Sequence, residues 1–118
     1  MAETLDSNEK AGVEKKRAWL RSEFSNDPLR VIEKVKCPVF IAQGARDEQM
    51  PPEDADALLA ALRKSGNTGV EAKTYPGLSH VFAPTLTGSI ADYSDPAAKM
   101  SDEFLADAVR FLASSLQR

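Results

Sequence analysis

Two strand-like segments separated by one amphipathic helix constrain the fold of this chain more than any other feature. The first, Val39–Gly44, opens with the continuous apolar run Val39–Ala42, typical of a strand that is covered on both faces. The second, Val70–Tyr75, alternates apolar and polar residues. Between them Pro51 and Pro52 open a helix that is predicted to continue to about Ser65. This order indicates a parallel βαβ unit and therefore the α/β class.

Helical patterns flank this unit on both sides. A charged stretch from Asn8 to Phe24 predicts an N-terminal helix, and Asp27 with Pro28 begins a short second helix. Ser101 caps a terminal helix with a predicted buried stripe of Phe104, Leu105, Ala108, Val109, Leu112 and Leu116. The 118 residues suffice for one domain, divided into a helical segment (1–26) and a βαβ unit with a histidine loop and terminal helix (27–118).

Composition and charge narrow the possible functions. The net charge is −3 and the 15 basic residues are dispersed, so we expect neither a nucleic acid nor a membrane surface as partner. No apolar run is long enough to cross a bilayer, and Met1–Thr4 does not resemble a signal peptide. With Cys37 as the only cysteine, these features predict a cytoplasmic protein. One histidine without a cysteine cluster gives no metal site, and no cofactor is expected.

Two side chains with useful chemistry follow the two predicted strands. Asp47 lies three residues after Gly44, and His80, the only histidine, lies in the loop after Tyr75. The carboxyl ends of parallel strands meet at one edge of a sheet, so we expect Asp47 and His80 to lie close together. A carboxylate that accepts the Nδ1 proton of an imidazole leaves Nε2 free to act as a base toward a serine hydroxyl.

The segments around these two residues resemble the α/β-hydrolase superfamily. Residues 37–51, with Gly44-x-x-Asp47, look like the penultimate strand and acid loop, and residues 75–82 look like the last strand and histidine loop. The tail from Thr87 is similar to bacterial esterases of the prolyl oligopeptidase and dienelactone hydrolase groups. The resemblance covers residues 27–118. It implies the C-terminal portion of an α/β-hydrolase fold, with Asp47 as the triad acid and His80 as the triad base.

The sequence departs from the family pattern at the nucleophile. These hydrolases carry the serine in a Gly-x-Ser-x-Gly elbow upstream of the acid, and this sequence contains no such pattern. The segment that forms the oxyanion hole is missing as well. Ser22 and Ser25 precede Asp47 but fall in or beside a predicted helix and lack flanking glycines. Ser79 adjoins the histidine too closely for attack, and Cys37 lies at the wrong end of its strand.

Each candidate residue also has a simpler structural interpretation. Asp47 alone could cap the following helix, and His80 alone could be a loop histidine with one hydrogen bond. Arg46 could orient the carboxylate or be an ordinary surface residue. The two motifs together favour the interpretation in which Asp47 and His80 derive from a catalytic triad.

The leading functional hypothesis is a serine-hydrolase module for ester or peptide-like acyl substrates, inactive until a serine is supplied from elsewhere. The alternative is a non-catalytic dimerisation or binding module, or a truncated fragment of such a hydrolase. Two strands make a poor independent sheet with open edges. We therefore expect the chain to form a homo-oligomer or to pair with a missing N-terminal hydrolase part.

Overall fold

A parallel two-stranded sheet between helices forms the centre of the structure, a computed structural model that describes residues 6–117 except the side chain of Phe24. The helices and strands follow the order α1 (Ser7–Ser25), α2 (Pro28–Ile32), β1 (Val39–Gly44), α3 (Pro52–Lys64), β2 (Val70–Tyr75) and α4 (Asp102–Leu116), with a 3-10 helix at Ile90–Ser94. The predicted α/β class and βαβ unit are confirmed. Residues 1–5 of the predicted N-terminal segment lie outside the described residues.

The helices begin at residues with suitable capping chemistry. The Asp6 carboxylate accepts hydrogen bonds from the first turn of α1, and the Asp6 backbone amide donates to the Glu9 carboxylate, which completes a capping box. Asp27 caps α2 and Ser101 caps α4, both as predicted. The helix α1 is exposed along nearly its whole length, and its Trp19 is 58% exposed.

The described chain is elongated. Its radius of gyration is 19.2 Å, whereas a compact domain of this length has about 13.5 Å. A compact arrangement would bury more of α1, so the structure packs less of its apolar surface than an independent domain of 118 residues does.

The two strands pair in parallel, with Val39 opposite Val70 and Gly44 opposite Tyr75. The Val39 amide donates to the Gly69 carbonyl, so the odd-numbered residues of β1 face β2 with their backbone polar groups. The intervening Phe40 and Ala42 direct theirs to the other edge of β1, where the described chain has no third strand. In the described chain the outer edge of β1, the strand that leads to the acid loop, is therefore open, and no described strand pairs with the outer edge of β2 either.

The two faces of the sheet are covered by different helices. The helix α3 packs against both strands on one face, and α2 packs on α3. On the other face, Phe111 of α4 stacks on Phe40 with ring centroids 5.5 Å apart. The polar half of the β2 alternation also lies under α4, because Lys73 and Tyr75 both bind Asp107 there.

Tyr75 is the anchor between β2 and α4. Its ring is 1% exposed and meets Phe104 edge to face, and its hydroxyl donates to the Asp107 carboxylate at 2.8 Å. Lys73 completes the contact with ammonium distances of 2.6 Å to Asp107 and 2.7 Å to Glu103. Burial and the Asp107 hydrogen bond raise the pKa of Tyr75 to about 12, so the phenol stays protonated as a donor.

The predicted buried stripe of α4 is partly wrong. Four of its members are exposed in the described chain, at 44% to 85%: Leu105, Val109, Leu112 and Leu116. The sheet side of α4 includes Phe104, a member of the predicted stripe, and Phe111, which was not predicted. A helix that packs on two strands buries only the flank that faces them. The described residues do not cover the opposite flank of α4.

Among residues 6–117, no helix combines the length and apolar character needed to cross a membrane.

Replacement of Tyr75 by phenylalanine tests the anchor. We expect the free energy of unfolding of Tyr75→Phe to fall by about 1 kcal/mol, because the hydroxyl bond to Asp107 is lost while the ring packing stays. Urea denaturation measures this change. In a double-mutant cycle the Tyr75→Phe effect should shrink once Asp107 is asparagine. An unchanged stability for Tyr75→Phe would contradict the anchoring role.

Candidate active site

The acid loop begins where β1 ends and is attached to the histidine loop by its backbone. The Ala45 amide donates to the Tyr75 carbonyl, and the Arg46 amide donates to the Leu78 carbonyl, both at 3.0 Å. These bonds extend the pairing of the strands beyond their ends. The side chain of the next residue, Asp47, consequently emerges beside the histidine loop at the carboxyl edge of the sheet.

Gly44 permits this close approach of the two loops. A Cβ atom at this position would lie 2.5 Å from the carbonyl oxygens of both Leu78 and Ser79, which are backbone atoms that cannot turn away. The glycine of the Gly-x-x-Asp motif is therefore required for steric reasons. Only glycine lets the end of β1 lie against the loop that carries the histidine.

His80 lies in a tight turn. The Phe82 amide donates to the Ser79 carbonyl at 3.0 Å, which closes the turn, and the Ser79 amide donates to the Ala83 carbonyl. Phe82 adopts a φ of 56°, a conformation that costs energy for a bulky residue. Its ring stacks on Phe104 of α4 with centroids 4.0 Å apart, a contact that holds the turn in place.

Asp47 and His80 form a hydrogen-bonded pair. The Nδ1 atom of His80 lies 2.9 Å from Oδ2 of Asp47, and the other oxygen, Oδ1, accepts the amides of Gln49 and Met50 at 2.9 Å each. The carboxylate is 7% exposed, whereas the imidazole is 39% exposed. The structure thus brings together the two predicted site residues, with a buried acid behind a partly open base.

The environment of Asp47 favours its charged form. Burial alone would raise the pKa of this carboxyl, but the Met50 amide, the His80 ring and the Gln49 amide together hold it below its ordinary value of 3.8. The carboxylate is therefore ionised at neutral pH. An ionised Asp47 accepts a hydrogen bond from the Nδ1–H group, which leaves Nε2 as the proton acceptor of the ring.

Gln43 is a site residue that the sequence analysis missed. It lies buried in β1, and its amide donates to the Gly44 carbonyl at 3.1 Å and to the Met50 carbonyl at 3.0 Å. The same amide nitrogen lies 3.5 Å from Asp47 Oδ2. These bonds fix both ends of the acid loop. The available signal was a polar side chain in an otherwise apolar strand.

A cavity of about 190 Å³ adjoins the pair. It is lined mainly by apolar side chains of β1, α3 and the histidine turn, together with Asp47 and His80, and includes Ala42 on the open-edge side. A larger cavity of about 550 Å³ lies along residues 84–99 and has neither residue of the pair in its lining. The smaller cavity is below the usual size of a ligand pocket, so in the described chain it is part of a site only.

No serine or cysteine among residues 6–117 forms a hydrogen bond with His80. Ser79 is 1% exposed and its hydroxyl has no hydrogen-bond partner, and the Ser25 hydroxyl donates to a carbonyl within α1. Cys37 is exposed and precedes β1, at the end of the strand opposite Asp47. Within the described part of the chain, no group of three His, Cys, Asp or Glu side chains is arranged to hold a metal ion.

The parallel strands and the acid and histidine loops at their carboxyl edge define a portion of an α/β-hydrolase fold. Comparison with known families agrees, because the model of the prolyl oligopeptidase family matches residues 6–110. This chain belongs to the prolyl oligopeptidase family. Searches of curated proteins and of solved structures gave no match.

Replacement of Asp47 by asparagine should reverse the tautomer of His80. The Gln49 and Met50 amides require an acceptor at Oδ1, so the new amide nitrogen must face His80 Nδ1 and donate to it. Because His80 is the only histidine, its ring nitrogens can be assigned directly by ¹⁵N NMR. We expect Nδ1–H in the original chain and Nε2–H in Asp47→Asn. The same tautomer in both would contradict the assigned geometry.

Stability should depend on the ionisation of Asp47 at low pH. A lowered pKa in the folded chain means that the stabilisation is fully present above about 3.8 and is lost as the pH falls through the folded value. The stability difference between the original chain and Asp47→Asn should therefore narrow below about pH 4. Asp56→Asn, at an exposed position of α3, provides the matched control. Urea denaturation across this range that shows a constant difference would contradict the prediction.

Proposed function

We propose that this chain is the acid–base part of a serine-hydrolase site that acts on ester or peptide-like acyl substrates. The observation that carries the proposal is the 2.9 Å contact between a buried, ionised Asp47 and a partly exposed His80. Asp47 holds the ring in the tautomer with a free Nε2. His80 then removes the proton of a serine hydroxyl as it attacks the acyl carbon, and returns that proton to the leaving group.

The proposed nucleophile comes from residues outside this sequence, on a separate segment or a partner chain. The support is the open edge of β1, where the backbone groups of Phe40 and Ala42 point away from β2. A strand added there in parallel would end at the same sheet edge as Asp47 and His80. The small cavity beside the pair includes Ala42, a residue of this open-edged strand, in its lining.

The second candidate function is a non-catalytic dimerisation module. The exposed apolar flank of α4, formed by Leu105, Val109, Leu112 and Leu116, favours it, because such stripes mark interaction surfaces. Two copies joined at their β1 edges by a twofold axis would run antiparallel. That arrangement would put the two acid loops at opposite ends, so self-pairing alone would not complete the site.

Both functions require a partner surface, and light scattering tests this requirement. We expect the chain at micromolar concentration to be dimeric or larger, or to become heterodimeric when an N-terminal hydrolase segment is added. The reasons are the open sheet edge at β1 and the exposed apolar flank of α4. A chain that stays monomeric both alone and with the added segment would contradict the requirement.

A fluorophosphonate probe separates the two candidate functions. We expect no labelling of this chain alone. After addition of an N-terminal segment from a prolyl oligopeptidase-family enzyme with its Gly-x-Ser-x-Gly elbow, we expect labelling of the serine on the added segment. The labelling rate should fall at least about 100-fold with His80→Ala, because the general base is removed.

The matched control is Arg110→Met. Arg110 lies on α4 and forms an exposed ion pair with Glu71 of β2, so its replacement should leave labelling unchanged. Labelling of this chain alone would reveal a nucleophile within it and overturn the split-site proposal. Complex formation without any labelling would favour the dimerisation module.

A further inference from the structure

A segment after the histidine loop packs on the outside of the acid loop. The clamp segment, residues 85–93, contains the 3-10 helix that begins at Ile90. Three contacts join it to residues 46–49, on both sides of Asp47. The segment contributes no group to the Asp47–His80 hydrogen bond itself.

The contacts flank the acid in sequence. The Arg46 guanidinium donates to the Thr85 carbonyl at 2.7 Å, directly before Asp47. The Gln49 side chain donates to the Tyr93 hydroxyl at 2.9 Å, two residues after it. Gly88, at a φ of 81°, packs so closely on the Arg46 carbonyl that a Cβ atom would collide with that oxygen. The acid loop is therefore fixed to the clamp segment before and after Asp47.

The clamp segment is itself held by a compact set of hydrogen bonds. The Asp92 carboxylate accepts the hydroxyl of Thr85 and, at 2.7 Å, that of Thr87. The Thr85 hydroxyl oxygen in turn accepts the Gly88 amide at 2.8 Å. The two threonine hydroxyls hold the pKa of Asp92 below its ordinary value, so the carboxylate stays ionised as the acceptor. A segment held together by these hydrogen bonds can oppose motion of the acid loop.

We propose that the clamp segment positions the acid of the Asp47–His80 pair, with Arg46 and Tyr93 as its positioning residues. The backbone amide of Gln49 is one of the two donors that hold Asp47 Oδ1, and the side chain of the same residue binds Tyr93. Displacement of Gln49 therefore rotates the carboxylate and lengthens the hydrogen bond between Oδ2 and His80. A hydrogen bond of this kind depends steeply on distance and angle. This inference rests on the proposed function, since the pair has catalytic meaning only there.

The test uses the full chain and the Nδ1 proton of its single histidine. We expect this proton to exchange with water about tenfold faster in the double variant Arg46→Met, Tyr93→Phe, a factor equivalent to about 1.4 kcal/mol. Tyr93→Phe alone should give a smaller increase, and it serves if the double variant does not fold. Arg46→Lys in the presence of Tyr93 should restore most of the protection, because the ammonium can still donate to the Thr85 carbonyl.

Arg110→Met is the matched control, since it removes an equally exposed arginine contact, at 2.9 Å from Glu71, far along the sequence from the acid loop. It should leave the exchange of the His80 proton unchanged. Exchange in the double variant equal to that of the original chain would overturn the clamp alone. An unprotected Nδ1 proton in the original chain would overturn the proposed function and the clamp with it.

Discussion

The two oxygens of the Asp47 carboxylate bind different partners, and the arrangement of the site depends on this difference. Oδ1 accepts two amides of its own loop, which fixes the carboxylate and keeps it ionised, and Oδ2 faces His80 at 2.9 Å. This arrangement is possible because Gly44 lets the end of β1 lie against the histidine loop. A larger residue at that position would separate the two loops, and the acid would no longer reach the ring.

The packing around the pair is uneven. Tyr75 and Asp107 join α4 to β2, so the side of the site that carries the histidine packs against this helix. On the other side β1 has an open edge, and α4 exposes the apolar flank that includes Val109 and Leu112. The Asp47–His80 pair is thus held on its histidine side by packed side chains, while the outer edge of β1 is left uncovered in the described chain.

The sequence was sufficient for the central βαβ unit and the position of the pair. Continuous apolar residues in β1, the helix that begins at Pro52 and the motifs that end in Asp47 and His80 are local signals, and local signals survive in a single sequence. The burial of α4 was not predictable in the same way, because which half of an apolar stripe packs depends on what covers it. The roles of Gln43 and the clamp segment arise from contacts between distant residues, which spacing alone does not reveal.

The central claim is that Asp47 and His80 act as the acid and the general base for a serine that binds at the open edge of β1. The most direct measurement is a crystal structure of this chain in complex with an N-terminal hydrolase segment that carries the serine elbow. The account predicts a strand parallel to β1 on its open edge, with the serine Oγ within about 2.6–3.2 Å of His80 Nε2. A complex in which the edge stays open, or in which His80 Nε2 faces away from the serine, would contradict it.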